Sequence, residues 1–294
     1  MFGRRRDAYK LKGIDPIVRM TGYIMPYRYD AQVGLTLEIR CEEMDRFIEE
    51  QEKLGNKFTY MHIVISGLLR MIALRPKLRR FLMGGRVYSR KTIDFAFAVK
   101  KQLTDDAEET TIKVSFTGHE GIFDVKEILD REISKNKVVT EENKTDRMAK
   151  LLLSIPHFIL KPAVAFLKWT DRCGFLPKAV LEASPFHVSL FLTNMKSLGT
   201  NHVLHHLYDF GTTAIFASMG KEKYEPCVNF DKKLEVGKVM KMGFVIDERI
   251  CDGLYYAKSI KVGKRHIENP ELLMERLETV LEDPELKKKK SKNA

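Results

Sequence analysis

Residues 242–262 constrain this chain more than any other stretch. They read Met-Gly-Phe-Val-Ile-Asp-Glu-Arg-Ile-Cys-Asp-Gly-Leu-Tyr-Tyr-Ala-Lys-Ser-Ile-Lys-Val. Phe244, Val245 and Ile246 form an apolar, partly β-branched run of the kind a buried strand needs. Asp247 ends it. Asp252-Gly253 signals a turn and a helix start, because an Asp side chain accepts from the free N–H groups of a first helical turn. Leu254, Ala257, Lys258 and Ile260 follow helical spacing. The segment therefore predicts strand, polar turn and helix, with Asp247, Glu248, Arg249 and Asp252 packed into six positions. A solvated turn with incidental charges would account for the same residues.

The rest of the chain alternates between the two periodicities. Residues 13–30 read as irregular. Val33, Leu35, Leu37 and Ile39 alternate as in a half-buried strand. Residues 42–54 place Met44, Phe47, Ile48 and Leu54 on one helical face, closed by Gly55-Asn56. Thr59 can cap a second helix, Tyr60 to Leu74, apolar nearly all round and ended by Arg75-Pro76. His62 in its first turn reads as structural. Short strands follow at Val87-Tyr88, Ile93–Val99 and Ile112–Phe116, with Asp105–Thr111 as a hairpin loop. Asp124 with Glu127 resembles a capping box for a helix to about Lys135. Phe186–Thr193, Thr213–Ser218 and Val239–Asp247 read as strands. Residues 270–282 read as a helix with Leu272, Leu273, Leu277 and Val280 on its apolar face.

Charge and cysteine usage narrow the partners. The net charge is +11 over 294 residues. Residues 1–12 hold five Lys/Arg against one Asp, and residues 285–294 five Lys against one Glu, so eight of the eleven charges sit at the ends. That places a basic tail at 1–12 and a lysine-rich tail at 283–294. It argues against nucleic acid, whose binding domains concentrate charge on a folded face, and allows weak attraction to an anionic membrane. Cys41, Cys173, Cys227 and Cys251 form no CxxC pair, which argues against zinc and for a reducing, cytoplasmic setting.

Two stretches stay open on residues alone. Residues 151–182 are apolar but interrupted by Pro156, Lys161, Pro162 and Lys168, too broken for the roughly 20 apolar residues of a spanning helix. They read as a helical hairpin packed on the core or another subunit, or as an amphipathic element peripheral to a membrane face. Residues 200–211 carry His202, His205 and His206 before Asp209. These can supply a base or form a polar loop with stacked rings; without an HExxH or a second ligand cluster no metal is expected. The chain contains no G-x-G-x-x-G, P-loop or G-x-S-x-G motif, so dinucleotide, phosphoryl-transfer and serine-hydrolase chemistry have no support.

Several segments, taken in order, resemble the catalytic domain of the dihydrolipoyl acyltransferases of 2-oxo acid dehydrogenase complexes, which share a fold family with chloramphenicol acetyltransferase. They are Arg75-Pro-Lys-Leu-Arg-Arg-Phe81, Gly84-Gly-Arg-Val-Tyr88, Ile93-Asp-Phe-Ala-Phe-Ala-Val99, Phe191-Leu-Thr-Asn-Met195 and the opening stretch. Where the family reads Asp-His-Arg-x-x-Asp-Gly, this chain reads Asp247-Glu-Arg-Ile-Cys-Asp-Gly253. The resemblance implies an α/β, two-layer fold with a mixed β-sheet and helices, over residues 13–282, with a helical insert at about 140–182. It implies a homotrimer with sites at the subunit interfaces, coenzyme A or acyl-coenzyme A as substrate, no metal, and no lipoyl group on this chain.

The same resemblance assigns roles. Thr193 is the candidate oxyanion donor and Asp252 the structural acid, with Arg19 as its candidate partner and Asp247, Arg249 and Gly253 shaping the site. Glu248 stands where the family has its histidine base. A free imidazole titrates near ~6.5 and a glutamate near ~4.3, so a carboxylate is the poorer base at neutral pH. The implied function is acyl transfer from a thioester to a thiol, hydroxyl or amine, with Glu248, His205 or His206 as base. The alternative is a non-catalytic trimeric scaffold or ligand-binding relative.

Overall fold

The computed structural model of the chain describes residues 4–100, 109–137, 147, 150, 153–228 and 231–286. In chain order its elements are β1 (Ala8–Lys10), α1 (Pro16–Ile24), β2 (Gln32–Arg40), α2 (Glu42–Lys53), α3 (Tyr60–Leu74), β3 (Arg80–Met83), β4 (Arg86–Arg90) and β5 (Ile93–Lys100). Then follow β6 (Glu109–Phe116), α4 (Ile122–Lys137), α5 (His157–Cys173), α6 (Lys178–Ala183), β7 (Leu190–Asn194), β8 (Ile215–Met219), β9 (Lys223–Val228), β10 (Leu234–Asp247) and α7 (Gly253–Glu268).

Alternation in the strands creates two unlike sheet faces. The main sheet runs β2-β10-β8-β7-β5-β6, with β9 added on β10. The β5–β7 and β7–β8 pairs are parallel and the others antiparallel, so the sheet is mixed. Phe95, Phe97, Ile112, Val114, Phe116, Leu190, Leu192, Ala217, Met242, Phe244 and Ile246 point to one face and join one buried core. Residues of α2, α3, α4 and α7 close that core, and α3, apolar all round, is its central helix. His62 completes a capping box with Thr59 and its Nε2 lies 3.2 Å from Asp130, a structural role. A separate three-stranded sheet, β1-β4-β3, lies beside it.

The second face is crossed by a strap, residues 200–208, instead of helices. Its path follows small residues. The Val203 N–H donates to Ser218 Oγ at 3.0 Å, and the Ser218 hydroxyl donates back to the Val203 carbonyl. Gly243 lies opposite Ser218 in β10, and a β-carbon there would collide with that same Val203 carbonyl. Leu207 N–H donates to Gln32 Oε1 on β2 at 3.2 Å, so the strap reaches the far edge. The ring of His205 lies flat on Phe216, 4.1 Å between centroids.

Several expectations change. Residues 13–30 are not irregular: Asp15 caps α1 by accepting from Ile17 N–H at 2.8 Å, with Pro16 in the first helical position. Residues 5–12 are folded, with Arg5 buried and Ala8–Lys10 paired to β4. Leu54 is exposed, since α2 ends before it. Asp124 is not the cap of α4; that helix begins at Ile122, and Asp124 reaches back to the Gly121 N–H. Residues 109–111, expected in a loop, belong to β6, while 101–108 and 138–146 lie outside the described residues. Strand β9 was not anticipated.

The largest difference is at 270–282. Only a 3-10 turn forms there, Pro270–Leu273. The segment's backbone bonds to other elements: Leu277 N–H to the His119 carbonyl, Leu281 N–H to the Ala73 carbonyl. Arg70 donates to the Glu275 carbonyl at 2.6 Å. Arg80 then grips Asp283 through two bonds of 2.6 and 2.8 Å, both groups buried. Tertiary partners outcompete a marginal helix.

Replacing Gly243 by valine should destabilise the chain by about 1–3 kcal/mol through overpacking against the strap. Urea unfolding of Gly243→Val measures this; a cost matching a surface substitution would mean the strap is not seated.

Candidate functional site

The predicted strand, turn and helix are present: β10 ends at Asp247 and α7 begins at Gly253. Asp252 is the helix N-cap, accepting from the Tyr255 N–H at 2.8 Å. That bond, ahead of other backbone contacts, holds its carboxyl below the usual carboxylate range. On the next turn Arg75 lies 3.8 Å from the Tyr255 ring centroid and donates to Ser259 Oγ at 3.0 Å, fixing α7 against the end of α3. No ion pair joins Asp252 to Arg19; Arg19 is an exposed residue of α1, lining a surface cavity with Lys10, Lys12 and Tyr23.

The arginine that meets this turn is Arg28. Asp247 is fully buried and takes both prongs of Arg249, Nε to Oδ1 at 2.7 Å and Nη2 to Oδ2 at 2.8 Å. Arg28 Nε stands 3.5 Å from Asp247 Oδ2. Burial pushes the Arg28 guanidinium down, with Asp247 opposing. Arg28 also donates to the carbonyls of Tyr208 and Gly211, and its N–H to Asp209 at 2.8 Å. Arg249 reaches the Met25 carbonyl at 2.6 Å. One carboxylate thus ties the end of α1, the strap and the end of β10. A cavity of about 250 Å³ opens beside it, lined by Arg28, Arg249, Lys168, Arg172, Asp171 and Asp209.

Glu248 is exposed at the end of β10, its backbone N–H bonded to the Ala31 carbonyl. Thr193 is half-buried on β7 and faces the strap side of the sheet. Register separates them. Thr193 pairs with Ser218 and Ser218 with Gly243. Glu248 lies five residues beyond Gly243, about 17 Å along the strand direction. A single chain does not bring these two together.

His205 lies between them. It rests on Phe216, two residues from Ser218. Its Nδ1 is 2.7 Å from the His206 carbonyl, which requires the proton on Nδ1, so that in the neutral ring Nε2 is the acceptor. His206 is exposed, its ring edge-on to Tyr208. His202 turns away to Thr36 Oγ1 at 2.9 Å, and burial lowers its pKa. The three rings do not converge on a point. Among the described residues no group of three His, Cys, Asp or Glu side chains is placed to hold a metal ion.

Sequence reasoning missed a second buried network at the same end of the sheet. Arg5 donates to Asp171 at 2.7 Å and to Asp7 at 2.9 Å. Asp171 also meets His187 Nε2 at 3.1 Å, and His187 Nδ1 meets Ser184 Oγ at 2.7 Å. Ser184, His187 and Asp171 are each at least 98% buried, and this chain of bonds anchors α5. Its residues carry no local spacing that could have announced it.

Comparison with known proteins shows what the chain resembles. Residues 187–275 match the family model of the 2-oxoacid dehydrogenases acyltransferase (catalytic domain). The fold is similar to that of a probable dihydrolipoamide acetyltransferase from Listeria monocytogenes, with TM-score 0.55 and 14% identity over 88% of this chain and 94% of that one. It is similar to the Azotobacter vinelandii dihydrolipoamide acetyltransferase, with TM-score 0.55 and 12% identity over 87% and 88% of the two chains. Chloramphenicol acetyltransferase aligns with TM-score 0.51 and 14% identity over 90% and 99%. No curated protein sequence matches the chain. The chain thus resembles the acyltransferase catalytic domain in fold and, over 187–275, in sequence.

Removing Asp247 leaves two buried guanidiniums without their carboxylate, and Asp247→Ala should cost about 3–5 kcal/mol in urea unfolding. The Asp252 cap should cost about 1 kcal/mol in Asp252→Ala at pH 7. A carboxyl whose pKa falls on folding stabilises above its unfolded pKa and loses that contribution as pH drops through the folded value. The difference between wild type and Asp252→Ala should therefore persist at neutral pH and shrink below about pH 4. A gap that widens in acid would contradict the cap.

Proposed function

We propose that the chain is a coenzyme A-dependent acyltransferase-like protein, acting as a homotrimer and moving an acyl group from a thioester to a thiol, hydroxyl or amine. The observation that carries this reading is the family match over residues 187–275, because that span contains both Thr193 and the Asp247–Gly253 turn. In the reaction the acceptor attacks the thioester carbonyl while a base takes its proton. The Thr193 hydroxyl donates to the oxyanion of the tetrahedral intermediate. The C–S bond then breaks, and coenzyme A leaves as its thiol with the proton returned by the base.

The base is the point of departure from the family. The Azotobacter enzyme was studied for the role of a serine, a histidine and an asparagine in its catalytic mechanism. By the motif resemblance, Thr193, Glu248 and Asp252 are the residues proposed for these roles in this chain. Within one chain, His205 has the better geometry for a base, since its Nε2 accepts and it lies on the Thr193 face of the sheet. Glu248 reaches a Thr193 only if a second chain supplies it. A second reading, a non-catalytic scaffold or ligand-binding relative, is favoured by one observation: the Glu248 side chain is exposed and has no ion pair or hydrogen bond among the described residues to orient it.

Incubation with acetyl-coenzyme A and candidate thiols, alcohols and amines separates the readings. Activity should fall about 100-fold in Thr193→Ala. A comparable loss in His205→Ala with little change in Glu248→Gln names the base, and the reverse pattern restores it to the motif. No turnover with any acceptor, together with no coenzyme A binding by calorimetry, would leave the scaffold.

A further inference from the structure

Helix α5 presents an apolar stripe that no described residue covers. Phe158, Pro162, Phe166 and Trp169 follow one another at helical spacing on one side. Phe158 is 79% exposed, Phe166 61% and Trp169 52%, and the last two rings stack at 5.9 Å. Beside that stripe run Lys161, Lys168 and Arg172, all exposed. The opposite side faces the protein, with Leu160, Val164 and Leu167 half-buried and Thr170 and Asp171 buried.

Charge decides what fits this surface. Asp171 is the one acidic residue of α5, and it is turned inward onto Arg5 and His187. The outward side therefore carries cations only. The same Asp171 contacts lock the last turn of the helix to the body, so the stripe is held out by a fixed mount. A Trp and two Phe beside a row of Lys and Arg is the composition that seats a helix in the headgroup region of an anionic bilayer, lying in the plane of the interface. No described helix is long and apolar enough to cross a membrane.

We infer that α5 docks the protein on an anionic lipid surface, with Phe158, Phe166 and Trp169 entering the interface and Lys161, Lys168 and Arg172 meeting lipid headgroups. The inference does not depend on acyl transfer, and its test uses no substrate.

Trp169 is the only tryptophan in the chain, so its fluorescence reports this helix alone. On adding phosphatidylcholine vesicles containing phosphatidylglycerol to the full chain at low salt, the emission should move to the blue and the protein should co-sediment. Pure phosphatidylcholine should do neither to the same degree. Phe158→Ser with Phe166→Ser should weaken vesicle partition about ten-fold or more, by removing most of the inserted apolar surface. Lys161→Glu with Lys168→Glu should abolish the preference for phosphatidylglycerol. These residues are exposed, so melting temperatures should stay at the wild-type value; the wild-type measurement is decisive even if a variant fails to fold. No blue shift and no co-sedimentation with anionic vesicles overturns the inference. So does emission that is already blue without lipid and unmoved by vesicles, which would mean that a second copy covers the stripe.

Discussion

The architecture where β10 runs into α7 depends on one buried carboxylate. Asp247 ends the long strand β10, is fully buried, and neutralises Arg249 through two short hydrogen bonds and Arg28 through an ion pair at 3.5 Å. A guanidinium left unpaired in such a place would be far costlier than an exposed one. Each arginine spends its remaining donors on backbone carbonyls, at Met25, Tyr208 and Gly211. Three segments distant in sequence are thereby fixed relative to one another. A hydrophobic contact would hold them together without setting orientation; the planar forks set it.

The charged network extends beyond Asp247. In register, Asp94 of β5 sits one residue before Phe95, which pairs with Leu190, so it stands at the same end of the sheet as Asp247. Arg5, Arg90 and His187 are buried there as well. Arg90 bonds the Thr212 carbonyl at 3.0 Å, and Arg5 bonds the Asp171 carbonyl at 2.8 Å. The sheet's helix-covered face is thus a conventional apolar core, whereas its N-terminal fringe, the strap and α5 are joined by ions. Because Asp171 is held by Arg5 and His187, the helix that carries it can display apolar residues outward and still have a fixed position.

This division explains what was legible in the sequence. Wherever a segment packs by periodicity, as in α3 or in Ile93–Val99, the residue pattern located the element, because burial on one face dictates which positions are apolar. Asp252 as a helix cap was legible for the same local reason. Helix α1 has no pattern of buried apolar positions to announce it, since its apolar residues Ile17, Met20 and Ile24 are exposed and form no core face. The irregular path of 274–286 could not be read, because its backbone partners, His119 and Ala73, are supplied by topology. The choice of arginine failed likewise. Arg19 and Arg28 are equally basic in sequence; only the fold buries Arg28 against Asp247 and leaves Arg19 in solvent.

The family resemblance and the single-chain geometry meet at Glu248 and Thr193. The sheet register keeps them about 17 Å apart along the strands, so a reaction using both needs Glu248 from one copy and Thr193 from another. The strap offers the alternative. It lies on the second face because Gly243 and Ser218 leave room and hydrogen bonds for its backbone, and it carries His205 onto Phe216 on the same face as Thr193. The proton on Nδ1 is fixed by the His206 carbonyl, which leaves the other nitrogen as the acceptor. A carboxylate in the motif position and an imidazole on the strap are therefore two solutions to one requirement. They differ in a physical consequence: the first makes the proposed chemistry contingent on assembly, and the second puts the proposed base, His205, and the proposed oxyanion donor, Thr193, on one face of a single chain.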